Sequence, residues 1–210
     1  MRKLPIYILI DTSGSMRGEP IESVKVGLKS LVSSLKRDPY AMETVYISII
    51  TFDREAKVIL PLSPIDNLNL PRIPPVKSSP TNMGEALALM LMKYDKEVVK
   101  NTLKEKGDWT PMAVVMTDGS PSDTMLFEDT CEAIKRYKFS RIIGCAAGPK
   151  AKYKPLTKFC TDVVILETMD ANSFSMFWRW VSVVFTQKSR SSSITDIPLP
   201  PPPKEIRIPL

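Results

Sequence analysis

Pro5-Ile6-Tyr7-Ile8-Leu9-Ile10-Asp11-Thr12-Ser13-Gly14-Ser15 decides the fold. Ile6–Ile10 is an unbroken apolar run, rich in β-branched residues, that stops at a polar turn. Such a run describes a strand buried on both faces, as in a parallel sheet. Asp11–Pro20 has the composition of a loop, and Pro20 suits the first turn of a helix. Ile21, Val24, Leu28, Leu31 and Leu35 then recur at three- and four-residue steps, giving one apolar helical face that ends at Pro39.

The same alternation continues along the chain. Val45–Phe52 reads as a second buried strand. Ala56–Leu62 alternates and carries Pro61, as an edge strand paired in a hairpin would. Residues 63–80 read as a loop, and Glu85–Lys106 as a helix with Leu87, Met90, Leu91, Tyr94 and Val98 inward. Pro111–Thr117 is a third buried strand, Leu126–Tyr137 a helix, Ser140–Ala147 a fourth buried strand and Asp162–Leu166 a short last one. Phe174–Phe185 is an amphipathic helix. Strands alternating with helices predict a doubly wound α/β domain. Its mostly parallel six-stranded sheet would have one antiparallel edge strand and helices on both faces. This pattern fills residues 1–186. Residues 187–210 are rich in Ser, Arg and Pro and read as an extended, polyproline-prone tail, either a linker or a ligand for a partner.

Composition narrows the chemistry. The chain has 210 residues, with 29 Lys+Arg against 23 Asp+Glu, 3 Cys and no His. Without histidine there is no Ser-His-Asp or Cys-His triad and no His-bearing zinc site. Three cysteines do not make a disulfide framework and read as buried filler. Pro5 and Asp11 interrupt the apolar start too early for a secretory core, and no run reaches the roughly 20 apolar residues of a spanning helix. The expectation is a cytoplasmic protein without disulfides.

Sites in doubly wound sheets form at the carboxyl ends of the strands. After the first strand stand Asp11, Ser13 and Ser15. After Pro111–Thr117 stands Asp118, followed by Gly119. Ahead of the Glu85–Lys106 helix stands Thr81. Two carboxylates side by side at a buried strand end repel each other, and a divalent cation would relieve this. All the donors are hard oxygens, which suit Mg²⁺, Mn²⁺ or Ca²⁺. Alternate residues of an extended turn would aim Asp11, Ser13 and Ser15 at one ion, with Gly14 allowing the tight fold between them.

Asp11-Thr-Ser-Gly-Ser15, Thr81 and Asp118-Gly119 resemble the metal-ion-dependent adhesion site (MIDAS) of the von Willebrand factor A domain family. The resemblance covers residues 4–186. Finer features are similar to the bacterial tellurite-resistance (TerY-like) branch: Pro5–Asp11, Gly18-Glu-Pro-Ile21, Ile49-Ile-Thr-Phe52, Thr117-Asp-Gly-Ser-Pro-Ser-Asp123 and Trp180-Val-Ser182. Pro80 stands where Gly is expected before the site threonine. The resemblance implies that Ser13, Ser15 and Thr81 bind the ion through hydroxyls, while Asp11 and Asp118 act largely through bound waters. An acidic side chain of a partner protein would fill the open position. It also implies a non-enzymatic interaction module, an intracellular scaffold in a tellurite or chemical stress response.

Other readings of these residues stand beside that one. Asp11 and Asp118 could each be a turn or cap residue. Asp123 reads as the cap of the helix after it, and Ser120 and Ser122 as turn hydroxyls. Phe177, Trp178 and Trp180 read as core, with Trp180 alternatively at an interface. A magnesium-dependent phosphohydrolase using Asp11 as nucleophile is the alternative function, but position 13 holds Ser where a second acid is needed. Neither a Gly-x-Gly-x-x-Gly nor a Gly-x-x-x-x-Gly-Lys loop occurs, so nucleotide and nucleic-acid binding are not expected. Eight cations from Lys135 to Lys158 meet no acid between Glu132 and Asp162. They read as a solvated face, or, at Lys150 and Lys152, as a basic rim drawing an acidic partner.

Overall fold

The computed structural model describes residues 2–73, 79–102, 105–190 and 198–209. Its strands are β1 Leu4–Asp11, β2 Val45–Phe52, β3 Ala56–Pro64, β4 Met112–Thr117, β5 Arg141–Ala147, β6 Asp162–Leu166 and β7 Ile206–Arg207. Its α-helices are α1 Glu19–Leu35, α2 Pro39–Thr44, α3 Met83–Glu97, α4 Thr124–Ile134 and α5 Ala171–Arg190. The strands form one sheet of order β3-β2-β1-β4-β5-β6-β7. Every pair from β2 to β6 is parallel, while β3 and β7 close the two edges antiparallel. The doubly wound α/β fold with an antiparallel β3 is thus present, and β7 adds a seventh strand.

The side-chain period of a strand splits the core into two layers. Ile6, Ile8 and Ile10 of β1 face α1 and α5, whereas Tyr7 and Leu9 face α3 and α4. Because both faces are covered, the parallel strands need apolar residues throughout, which explains their unbroken runs. α1 and α5 meet at a notch. A Cβ on Gly27 would stand 2.1 Å from Cδ1 of Trp178, so only glycine lets the indole seat there.

Several boundaries differ from the expectation, each for a local reason. Pro39 starts α2 instead of merely ending α1: Asp38 accepts a hydrogen bond from the Ala41 N–H at 2.9 Å, and Pro39 occupies the first helical turn. α3 stops at Glu97 because Val98 turns extended, so it does not reach residue 106. Residues 103–104 of the helix expected there lie outside the described residues, as do 74–78 of the loop expected at 63–80. α4 ends at Ile134, short of Tyr137.

The expected division at 186/187 meets a helix and a strand. α5 runs on to Arg190, whose guanidinium bonds Asp38. The stretch 191–197 of the expected tail lies outside the described residues. Beyond it, the chain returns to the domain. Pro200 C=O accepts the Trp180 indole N–H at 2.9 Å, Leu199 packs on the α1/α5 core layer, and Ile206 is buried as it pairs with Leu166. Trp180 is therefore sandwiched between core and tail.

Candidate metal centre

The strand order reverses direction between β1 and β4. The chain leaves β1 toward α1 on one face and leaves β4 toward α4 on the other. The two exits diverge and open a crevice at the carboxyl ends. Ile10 pairs with Met116, which sets Asp11 beside Thr117. Asp11 is fully buried. Its Oδ2 accepts the Thr117 hydroxyl at 2.6 Å, and its Oδ1 accepts the Ser13 N–H at 2.8 Å. The Thr117 oxygen in turn accepts the Gly119 N–H at 3.1 Å, tying the β4 exit to the β1 exit.

Ser13 and Ser15 come together, though not along an extended turn. Residues Gly14–Met16 form a 3-10 turn, and the Ser13 and Ser15 hydroxyls lie 3.3 Å apart. The left-handed backbone is at Gly18, with φ +89 just before α1, and not at Gly14. Ser15 is exposed and donates its hydroxyl to Asp118 Oδ1 at 2.8 Å.

Thr81 arrives from a different element. Its N–H is accepted by the Ser122 hydroxyl at 3.0 Å, and its C=O accepts the Ser122 N–H at 2.8 Å. This two-way bridge fastens the Thr81 loop to the loop after β4. Pro80 is compatible with it, since the backbone groups that carry the bridge belong to Thr81. Asn82 adds its N–H to Asp53 C=O and its side-chain amide to Arg54 C=O, both at 2.8 Å. The Thr81 hydroxyl oxygen stands over Gly119, 3.4 Å from where a Cβ would be.

Asp123 has a role beyond the expected one. It stands at the N-cap position of α4, where its C=O accepts the Phe127 N–H at 2.9 Å, but its side chain caps no N–H of that helix. Its two carboxylate oxygens accept Gly84 N–H at 3.1 Å and Glu85 N–H at 2.8 Å, so it caps α3 from across the crevice. Ser122 and Asp123 are thus the positioning residues of the Thr81 loop. The sequence carried the signal in a Ser-x-Ser-Asp run directly behind Asp118-Gly119, but nothing local shows that it reaches another helix.

The electrostatics single out Asp11. Burial pushes its carboxyl up to about 6, against the hydrogen bonds from Ser13 and Thr117 that favour the charged form, and Asp118 adds to the upward push. The donor set of two carboxylates and three hydroxyls suits a hard dication. Among the described residues no group of three or more His, Cys, Asp or Glu is placed to hold a metal ion. The thiols offer no alternative ligand: burial raises Cys131 to about 11 and pushes Cys145 and Cys160 up as well. The basic run is partly neutralised by ion pairs. Lys135 pairs with Glu132 and Arg141 with Asp162, each at 2.6 Å, and Lys158 pairs with Glu128. Lys150, Lys152 and Lys154 are exposed and form no ion pair among the described residues.

A parallel sheet wound in this order, with hydroxyls and carboxylates gathered at the β1/β4 crevice, has a family counterpart. The model for the von Willebrand factor type A domain matches residues 6–172. The chain belongs to the von Willebrand factor type A domain family. Members of this family are generally protein-interaction modules and are often metal-dependent.

Solved structures of several other proteins share the fold. Proximal thread matrix protein 1 of the mussel byssus, in a structure described as having a zinc-occupied MIDAS motif, superposes with TM-score 0.57 at 16% identity, over 86% of this chain and 47% of that one. The pilus adhesin SpaC of Lactobacillus rhamnosus GG gives TM-score 0.67 at 12% identity, over 89% and 30%. BatB of Bacteroides thetaiotaomicron gives 0.56 at 13%, over 90% and 100%. This type A domain spans less than half the length of the mussel and Lactobacillus proteins. No curated protein sequence matches it. Among the described residues, no helix is long and apolar enough to cross a membrane.

Proposed function

We propose that the β1/β4 crevice holds a divalent cation, Mg²⁺ or in its place Mn²⁺ or Ca²⁺, and docks an acidic side chain of a partner protein onto it. Ser13, Ser15 and Thr81 bind the ion through their hydroxyls, and Asp11 and Asp118 fix those hydroxyls and bound waters. The bound ion supplies a Lewis-acidic centre that attracts an outside carboxylate. The residues of this chain orient the donors and keep negative charge close at hand, while few anionic groups touch the ion. The observation that carries this reading is the convergence of three separate loops: Ser13 and Ser15 hydroxyls 3.3 Å apart, Ser15 on Asp118 at 2.8 Å, and Thr81 over Gly119. The mussel relative with zinc in the corresponding motif supports it.

The module is non-enzymatic in this reading. Asp11 is fully buried with both oxygens engaged by Ser13 and Thr117, which keeps a phosphate ester from reaching it as a nucleophile would require. Its setting is a cytoplasmic scaffold in a tellurite or chemical stress response. Support comes from the Thr117–Asp123 segment, which resembles that branch and here carries both Asp118 and the Ser122/Asp123 anchor of the Thr81 loop.

Calorimetric titration with Mg²⁺ and Mn²⁺ tests the ion. Saturable 1:1 binding should weaken about 10–100-fold in Asp11→Ala and Ser15→Ala. Wild-type heats indistinguishable from buffer would overturn the site. Pull-down from the native host, with and without EDTA, tests the docking: a partner set indifferent to both EDTA and Asp11→Ala rules it out. Turnover of a generic phosphate ester that depends on Asp11 and Mg²⁺ would replace this reading with the hydrolase.

A further inference from the structure

A cleft of about 630 Å³ opens at the amino end of β4, on the edge of the sheet away from the crevice. It lies roughly 20 Å from Asp118, at about 3.3 Å per strand residue. Its volume falls within the few hundred to a thousand Å³ common for small-molecule sites.

The cleft is built by hydrogen bonds that hold the chain between α3 and β4. Asp108 accepts the Val99 N–H at 2.9 Å and the Lys3 N–H at 3.2 Å, and its own N–H goes to Val99 C=O at 2.8 Å. Arg2 donates to Gly107 C=O at 2.7 Å and stacks on Trp109, with its guanidinium carbon 4.1 Å from the ring centre. Tyr94 and Tyr137 also line the cleft, edge to face with centroids 5.1 Å apart. The lining is therefore aromatic and fastened in place.

The lining carries a net positive charge, three cations (Lys100, Arg136 and Lys138) against two acids (Asp95 and Asp108). Both acids in the lining are already engaged. Asp108 is taken by the two backbone N–H groups, and Asp95 accepts the Tyr137 hydroxyl at 2.6 Å and pairs with Lys100 at 3.6 Å. Arg136 and Lys138 also line the cleft, are exposed, and form no ion pair among the described residues. The aromatic side chains of the lining offer a surface to a flat ring, and Arg136 and Lys138, which form no ion pair among the described residues, bind its anionic group.

We propose that this cleft is a binding site for a small planar aromatic anion, an aryl carboxylate or sulfonate. The site is independent of the metal reading, because no residue of the β1/β4 crevice lines it.

The test uses the full chain and 2-naphthoate, with 2-naphthalenemethanol and 2-naphthylmethylammonium as neutral and cationic probes. The readout is the NMR signal of the Trp109 indole N–H, with Trp178 and Trp180 as internal controls. Naphthoate should shift the Trp109 signal saturably. The neutral and cationic probes should bind at least about tenfold more weakly, the equivalent of one charge-assisted hydrogen bond. Arg136→Ala with Lys138→Ala, both exposed, should cost naphthoate a similar factor, while Ser15→Ala leaves it unchanged. Absence of a saturable shift, equal binding of the three probes, or indifference to the double substitution overturns the proposal. Loss of metal binding in Ser15→Ala with naphthoate binding intact separates this site from the other.

Discussion

Asp11 and Asp38 are both withdrawn from water, at opposite ends of the sheet, and they titrate in opposite directions. Burial opposes ionisation at Asp38, but the Ala41 N–H and the Arg190 guanidinium outweigh it and hold the carboxyl below its usual range. At Asp11 burial wins, because Ser13 and Thr117 supply only neutral hydrogen bonds and the nearest charge is another acid, Asp118. One end of the domain provides the cation its carboxylate needs. The other withholds it, at the point where two loops diverge. The fold solves the first problem by bringing the end of α5 to the start of α2, and supplies no cation of its own among the causes acting on the second.

The largest expected effect comes from Asp11. Its folded value of about 6 lies above the ordinary 3.8, so the folded chain holds this proton more tightly than the unfolded chain does. The resulting stabilisation is full below about pH 4 and is lost as pH rises through 6. Two pKa units correspond to about 3 kcal/mol. In EDTA, urea titrations should show wild type losing about that much between pH 4 and 7 relative to Asp11→Asn. Saturating Mg²⁺ should restore wild type and leave Asp11→Asn largely unmoved. A wild type whose stability runs parallel to Asp11→Asn over this range would erase the contrast.

Asp38 should behave with the opposite sign. Its depressed value means that its contribution is present above the ordinary carboxylate range and is lost as pH falls through the folded value. Asp38→Ala removes the cap and the Arg190 partner together, at a cost of about 1–2 kcal/mol near neutral pH. The cost should shrink in acid and ignore Mg²⁺. A neutral contact on the same helix as Arg190 serves as the control. Trp180→Phe loses the indole hydrogen bond to Pro200, worth about 1 kcal/mol. That loss should be the same at pH 4 and 7, with and without metal. If it instead varied with metal, the tail and the crevice would be coupled.

The contrast between the two ends also shows where the sequence was legible. β1, β2 and the two Asp-bearing turns were readable because a strand buried on both faces has no polar positions, so its end is marked abruptly. Asp11, Ser13, Ser15 and Asp118 follow such ends directly. Thr81 was readable only through its resemblance to a motif, since the bridge to Ser122 that positions it spans 41 residues. Asp123 was legible only in part: local spacing places it at the start of α4, where it stands, but its carboxylate oxygens cap α3 across the crevice. The tail misled for a related reason. Its prolines exclude helix, yet Leu199 and Ile206 sit among them and find the core and the β6 edge. The start of α2 was signalled by Asp38-Pro39, which reads equally well as the end of α1.

The smallest effect on stability, and a test of the outer rim, is expected at Lys150 and Lys152. Both follow the carboxyl end of β5, the same edge as Asp11, and both are exposed. Lys135, Arg141 and Lys158 are paired with Glu132, Asp162 and Glu128, and Arg136 and Lys138 line the cleft at the other end of the sheet, so the surplus charge at this edge is concentrated in the loop after β5. Reversing Lys150 and Lys152 to Glu should leave unfolding within about 0.5 kcal/mol of wild type. Surface charges of this kind act on encounter more than on the bound state, because their field reaches about a Debye length while their contacts remain solvated. Association of an acidic partner, followed by stopped flow across a salt series, should therefore slow in the reversed variant and lose much of its salt dependence, with dissociation nearly constant. Unchanged association would mean that these lysines only solvate the loop, and that any pull on an acidic partner comes from the ion alone.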